Sequence, residues 1–501
     1  MHFSIPDTQE FHDESGSPYM AFNVHVNGVF HCAVRFKQLH NFHEQLKREF
    51  GNNVLPPFPP KKLLSLTPVQ LEERRFLLER YIQLISQEQD ISNSAVFNSF
   101  LLNAQQETQQ QEPEDVSLEI FLMNGHKITV NIQSTDQTDL VLEKVASQIE
   151  VPEEFVYYFG LFLIRKETDG DNSIVRRLQD FESPYISLNA AMKDGLHRIV
   201  LRKSTWDLQY DDHLLEDRIS MNLLYVQAVN DVERGWVQPS KDQLKRLNAL
   251  QEKGSKKEYL HFCRTLKYYG YIQFKTCTTD YPHPDCRVVV SAGNRELNFR
   301  VEVGSQQFKE GSFKVTRMRC WRITTTYAEA NGDTDDNMEQ GKDGKLELAF
   351  EYLIAKDTLK WVRIISDQAI LMSMCLQGMV DELVLKKQGK KIRRPAVRKK
   401  EQSHNFIKRD SSTNFLKQIS SGGGGDRKHA HKKIVEKKVV VVRTATDDSP
   451  SAAQNAAQKA KHSVKRIQDK ITTAVKSPLR SSENDAYDGG VGDYGIGDDD
   501  L

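Results

Sequence analysis

The residues best suited to chemistry lie near the start of the chain, in Val34-Arg35-Phe36-Lys37-Gln38-Leu39. An arginine beside an aromatic ring, where a strand gives way to a helix, can fork onto phosphate oxygens while the ring lies against a flat polyol. Lys61 follows the proline run Leu55-Pro56-Pro57-Phe58-Pro59-Pro60 and supplies a second cationic point. Arg74, in the first turns of another helix, supplies a third group for hydroxyls or phosphates. Each alone is an ordinary solvated side chain; the combination is far more specific. At the other end, Leu501 carries the terminal carboxylate behind Asp498, Asp499 and Asp500. That tip is either a solvated acidic end or a short motif for a basic, carboxylate-capturing pocket.

Signs of catalysis are missing. There is no Walker sequence, HExxH or GxSxG. Gly490, Gly492 and Gly495 spell GxGxxG, but with no strand before and no helix after. Asp333, Asp335 and Asn337 begin like a calcium loop, yet Met338 and Gly344 stand where it needs Gly and Glu. His261 with Cys263, and Cys277 with His283 and Cys286, fit no usual zinc spacing. The expectation is a binding protein with no catalytic residue, metal or cofactor.

Several elements must position these groups. Alternation over residues 22–26 and 29–36, joined by Asn27-Gly28, predicts a hairpin. Leu39, Phe42, Leu46 and Phe50 share a helix face that Gly51 closes. Thr67, Pro68 and Gln70 announce a capped second helix through Leu71, Leu78, Ile82 and Ile85, and a short helix near Ala95–Leu102 follows. The Gln-rich residues 105–114 are expected to form a linker. A second module opens with a hairpin over residues 116–132, turning at Asn124-Gly125, then a helix over 138–149 and strands near 157–164 and 199–201. Residues 204–270 are patterned as helix. Residues 271–365 return to strands, one of them expected to run unbroken over 313–324, and a helix over 367–385 ends the block.

Equal numbers of basic and acidic residues, 69 of each in 501, conceal a segregation. Residues 1–385 carry a net −12, residues 386–480 a net +19, and the last 21 residues a net −7. No window approaches the ~18 apolar residues of a membrane span, and the N-terminus lacks a secretory signal pattern. Six scattered cysteines without a CxxC point to a reducing compartment, the cytoplasm. Beyond Lys386 the charge runs and Gly422–Gly425 lack the apolar content to offset ordering entropy, so a disordered stalk is expected. Its basic run suits an anionic leaflet, a nuclear-localisation patch or nucleic acid, and no interleaved aromatics support the last.

On the Arg35-Phe36 pair, the Pro-Pro-x-Pro-Pro-Lys run and Arg74, the first module resembles a phox-homology (PX) domain, and Met1 to Leu385 resembles the PX plus FERM-like sorting nexins. The resemblance implies an α+β multidomain chain. A PX domain over 1–108 precedes a ubiquitin-like F1 lobe over 115–203, a helical F2 lobe over 204–270 and a PTB/PH-like F3 lobe over 271–388. The stalk and acidic motif occupy 389–501. It further implies that Arg35 holds the 3-phosphate of phosphatidylinositol 3-phosphate, Phe36 stacks on the inositol and Lys37 touches the same phosphate. Lys61 would meet the 1-phosphate and Arg74 the ring hydroxyls. Leu63, Leu64 and Leu66 sit where such domains present a membrane-dipping loop, and core packing would suit them equally.

In a PTB-like third lobe, an extended peptide can pair with an edge strand beside the last helix. The expected edge is 315–321, where alternation puts Val315, Arg317, Arg319 and Trp321 on one face, with Val380 and Val384 lining the helical wall. Trp321 is otherwise a core anchor. The resemblance implies NPxY or NxxY cargo: tails of low-density-lipoprotein-receptor relatives, integrin β chains and amyloid-precursor-type receptors. It also implies docking of the retriever complex on Ile496, Asp499, Asp500 and Leu501, and a monomer peripheral to the cytoplasmic face of early endosomes that recycles cargo away from lysosomes. The rival readings are a membrane–cytoskeleton FERM linker and a nucleic-acid regulator driven by the basic stalk.

Overall fold

The computed structural model describes residues 1–13, 15–62, 65–168, 171–303, 308–326, 345–355, 358–393, 406–409 and 413–414. The first sheet comprises β1 (Phe3–Ser4), β2 (Thr8–His12), β3 (Pro18–Val26) and β4 (Val29–Arg35), with β3 central to all of its pairings. Asn27 and Gly28 both adopt positive φ, 51° and 81°, as a two-residue hairpin turn requires. Helix α1 (Phe36–Phe50) follows β4 without a loop, buries Leu39, Phe42 and Leu46, and stops at Gly51. Helix α2 (Pro68–Ile85) starts with the expected Thr67–Gln70 capping box. The short α3 (Gln89–Ser92) leads into α4 (Ala95–Gln109).

The first half of the Gln-rich linker expected over 105–114 is the last turns of α4, and only residues 110–114 connect it to the next sheet. Low complexity concealed a specific role for Gln105, which is buried: its Oε1 accepts the Ser183 amide at 2.9 Å and its Nε2 donates to Ser187 Oγ at 3.0 Å. Glutamine propagates a helix well once a tertiary contact is available.

The second sheet has the order β6-β5-β9-β7-β8, formed by β5 (Asp115–Phe121), β6 (Lys127–Gln133), β7 (Phe159–Lys166), β8 (Asn172–Arg177) and β9 (His197–Lys203). Helices α5 (Thr138–Gln148) and α6 (Pro184–Ala191) complete this lobe. A helical unit follows: α7 (Gln209–Leu214), α8 (Arg218–Glu233), α9 (Lys241–Glu252) and α10 (Lys256–Cys263), sharing one apolar core with the second sheet. The last sheet runs β14-β13-β12-β11-β17-β16-β15, with β10 (Ile272–Gln273) also on β12. Its strands are β11 (Cys277–Thr279), β12 (Cys286–Gly293), β13 (Glu296–Glu302), β14 (Phe308–Lys314), β15 (Met318–Thr326), β16 (Lys345–Ala355) and β17 (Thr358–Ile365), packed by α11 (Ala369–Lys387). The single strand expected over 313–324 is two strands separated by a 3-10 turn at Val315–Arg317.

Buried polar clamps join the lobes. Glu182 accepts both Arg176 Nη atoms and Ser187 Oγ, the last at 2.6 Å, and through Ser187 reaches Gln105 on α4. Arg202 and Asp231, both nearly inaccessible, pair β9 with α8 at 3.1 Å. Asp207 holds Arg295 and Lys386. A Cβ on Gly28 would stand 2.7 Å from Ile370 Cδ1, so the first hairpin abuts the start of α11.

Just after α11, Ile392 packs on the shared core, and Arg393 binds Asp139 and Asp180 over the Tyr157 ring. Phe406 is buried in the first module's core, with β18 (Phe406–Ile407) paired to β19 (Thr413–Asn414). Leu63, Leu64, Ile496, Asp499, Asp500 and Leu501 lie outside the described residues. Among the described residues no helix is long and apolar enough to cross a membrane, and no cluster of three or more His, Cys, Asp or Glu could hold a metal.

Candidate functional site

Arg35 is the last residue of β4 and occupies the N-cap position of α1. Its amide donates to Gln38 Oε1 at 2.8 Å, which sets the sharp strand-to-helix corner. Its guanidinium lies 4.1 Å over the Tyr19 ring and donates to the Arg409 carbonyl at 3.0 Å. The first amides of α1 point toward the same corner, where partial positive charge favours an anion.

Phe36 begins the helix, half-buried, with Phe58 of the proline run 5.6 Å away and Arg74 stacked 4.1 Å over its ring. Arg74 also donates to the Pro60 carbonyl at 3.3 Å. The proline run therefore docks on α1 through Phe58, which stacks on His43 at 4.7 Å, and this presents the exposed Lys61 beside the cluster. His40 titrates below its ordinary range, chiefly from burial and secondarily from Lys61. Lys37 is exposed on the first turn. Phe36, Phe58 and Arg74 thus meet from three chain segments, with Lys61 following the proline run, while the Arg35 guanidinium is held by Tyr19 and the Arg409 carbonyl. Arg74 covers one face of the Phe36 ring. Sequence reasoning missed Tyr19, Phe58 and His40; the Phe58 inside a proline run was the available signal. Leu66 is half-buried, while Val69 is 79% exposed at the start of α2.

In the third lobe β15 lies at the edge of its sheet beside α11. Trp321 pairs across from Phe350, packs half-buried against the core, and donates from Nε1 to Ser373 Oγ on α11 at 3.0 Å. Ser373, Gln377, Val380 and Val384 follow at helical spacing, so both valines continue the face that Trp321 touches. The expected shared face of Val315, Arg317, Arg319 and Trp321 does not form. Val315 is buried in the 3-10 turn, and a bulge between Met318 and Cys320 shifts the alternation. Arg319 instead pairs with Glu351, and Arg317 donates to the Ile354 carbonyl at 2.6 Å. Ser373 was not legible as the partner of Trp321.

Comparison with known proteins bears on both regions. Residues 22–104 match the PX domain model, and residues 116–206, 207–267 and 270–384 match models of the F1 lobe of sorting nexins 17/27/31, the F2 lobe of sorting nexins 17/31 and the sorting nexin 17 FERM C-terminal domain. The chain is 54% identical to sorting nexin-17 of Danio rerio over 401 residues, covering 80% of this chain and 85% of that protein. The chain belongs to the sorting nexin-17 family. It is also 53% identical to sorting nexin-17 of Homo sapiens over 79% of this chain and 84% of the relative. Against human sorting nexin-31 the figure is 38%, over 77% and 86%. This is a family of adaptors rather than enzymes, active in endosomal sorting. A PX domain implies phosphoinositide binding and peripheral association with endosomal membranes, and FERM-like lobes imply peptide-motif binding.

Proposed function

We propose that this sorting nexin captures phosphatidylinositol 3-phosphate through Arg35, Phe36, Lys37, Lys61 and Arg74, and NPxY or NxxY receptor tails along β15 and α11 beside Trp321, Val380 and Val384. Cargo of the low-density-lipoprotein-receptor, integrin β and amyloid-precursor types would be recycled to the cell surface from early endosomes. The acidic C-terminal motif ending in Leu501 would engage retriever, and Leu63, Leu64 and Leu66 would dip into the bilayer. One observation supports the reading: Arg35 stands at the β4–α1 corner with the helix N-terminus behind it, and the next residue, Phe36, is stacked by Arg74, which also holds the Pro60 carbonyl next to Lys61. A body of net −12 is poorly suited to bulk attraction by an anionic leaflet, so capture of one headgroup by a discrete basic pocket fits better. Lipid and peptide sites on one chain raise each other's effective concentration.

The test is Arg35→Ala in the full chain, measured by liposome sedimentation. Losing a charge-assisted fork of about 1.5–3 kcal/mol weakens binding to phosphatidylinositol 3-phosphate liposomes at least tenfold, with the thermal transition unchanged. Undiminished binding would overturn the assignment.

A further inference from the structure

Within the basic stalk, Phe406–Arg409 lies across the PX corner. Phe406 is 7% exposed and sits against Phe100 at 6.0 Å between ring centroids. The Ile407 carbonyl accepts Gln38 Nε2 at 2.9 Å, from the same side chain whose Oε1 fixes the Arg35 amide. Glu107 takes the Arg409 amide at 2.6 Å, and the Glu107 carbonyl accepts the Arg409 guanidinium at 3.1 Å. That guanidinium also lies 4.9 Å over the Phe11 ring, so its charge is spent away from the pocket. What reaches the pocket is the Arg409 carbonyl, which accepts a hydrogen bond from Arg35 Nη1.

We propose that Phe406–Arg409 is an internal strap that competes with the phosphoinositide headgroup for Arg35. This rests on the headgroup assignment made above. A neutral carbonyl occupies a donor of the fork on which a phosphate would close. The phosphate bond is charge-assisted and roughly twice as strong, so it displaces the carbonyl. It does so against a strap held at high effective concentration by the chain itself and anchored by a buried phenylalanine. The apparent affinity is lowered in proportion to the fraction of molecules in which the strap is closed. Arg393 on Asp139 and Asp180, and Ile392 on the shared core, hold the residues just after α11 to the body.

The experiment uses the full chain with Phe406→Ala, which releases the anchor without altering charge, and Arg409→Gln, which frees the strap from Glu107 and Phe11 and, by removing a cation, would by charge alone weaken binding to an anionic surface. Affinity for phosphatidylinositol 3-phosphate liposomes is expected to rise three- to tenfold in both. Adding soluble inositol 1,3-bisphosphate to the unaltered chain is expected to speed amide exchange at residues 407–409, which separates headgroup capture from surface attraction. Equal or weaker liposome binding by both variants, or exchange at 407–409 that is unchanged or slowed by saturating headgroup, overturns the strap and makes it part of the pocket. Binding that Arg35→Ala abolishes in the released variants supports the headgroup reading on its own. If neither the unaltered chain nor the variants bind, the headgroup reading falls and the strap's role with it.

Discussion

Glu182→Gln tests the joint between the PX module and the second lobe. Glu182 is 1% exposed, and its carboxylate takes both Nη atoms of Arg176, the Gln179 amide at 2.6 Å and Ser187 Oγ at 2.6 Å. The amide keeps the shape but removes the charge and turns a donor toward Arg176, whose side chain is only 8% exposed. Breaking one partner of such a buried pair costs about 3–5 kcal/mol, because the surviving charge has no water to turn to. The readout is native-state hydrogen exchange at residues 101–105 and 183–187, which resolves this joint where a whole-chain melt would mix several units. A loss of ~3 kcal/mol appears as exchange more than about a hundredfold faster. Replacing both partners, Arg176→Met with Glu182→Leu, should lie within about 2 kcal/mol of the unaltered chain. Burial would raise the Glu182 carboxyl, but Arg176 outweighs it and holds the group below its ordinary range. The stability it contributes is therefore present above the ordinary glutamate value and lost as pH falls. The gap between the unaltered chain and Glu182→Gln should close on acidification. A cost under about 1 kcal/mol, or a double replacement as damaging as the single one, would refute the reasoning.

Two other outcomes are expected. Trp321→Ala should weaken an NPxY peptide at least tenfold by isothermal titration, since it removes both the ring and the Ser373 hydrogen bond; unaltered affinity would place the peptide elsewhere. His31 sits against Phe181 with Nε2 3.0 Å from the Leu101 carbonyl, and burial lowers its pKa to about 4. Its neutral form is the folded one, so stability is complete above the ordinary histidine value near 6.5 and falls by roughly 3 kcal/mol toward pH 4. His31→Gln should flatten that slope in melts across the range; an identical slope would assign it to other groups.

Local signals were the legible ones. Asn27-Gly28, Gly51 and the Thr67–Gln70 box each act within a few residues, and the helices and strands they bound appear where expected. Of the residues picked out for their chemistry, Phe36 and Arg74 are in contact although 38 residues apart. The missed features depend on partners far along the chain. The Gln-rich run opens as helix, where Gln105 meets Ser183 and Ser187 some 80 residues away. The break at Val315–Arg317 has neither glycine nor proline to mark it, and the bulge after Met318 then moved Arg319 off the Trp321 face. Phe406 and Ile407, two apolar residues within a charged run, were the only hint that the stalk returns to the body.

The Gly28–Ile370 approach has a consequence for which receptors the molecule could hold. Strand β4 begins beside the start of α11 and ends at Arg35, seven residues on. At about 3.3 Å per residue that is roughly 20 Å of hydrogen-bonded ribbon, a strut rather than a tether. A bilayer lipid gripped at one end and a receptor tail laid near the other would be held at a set separation. The stretch between a receptor's membrane segment and its sorting signal would have to match that gauge, so tail length would select among receptors whose signals are identical.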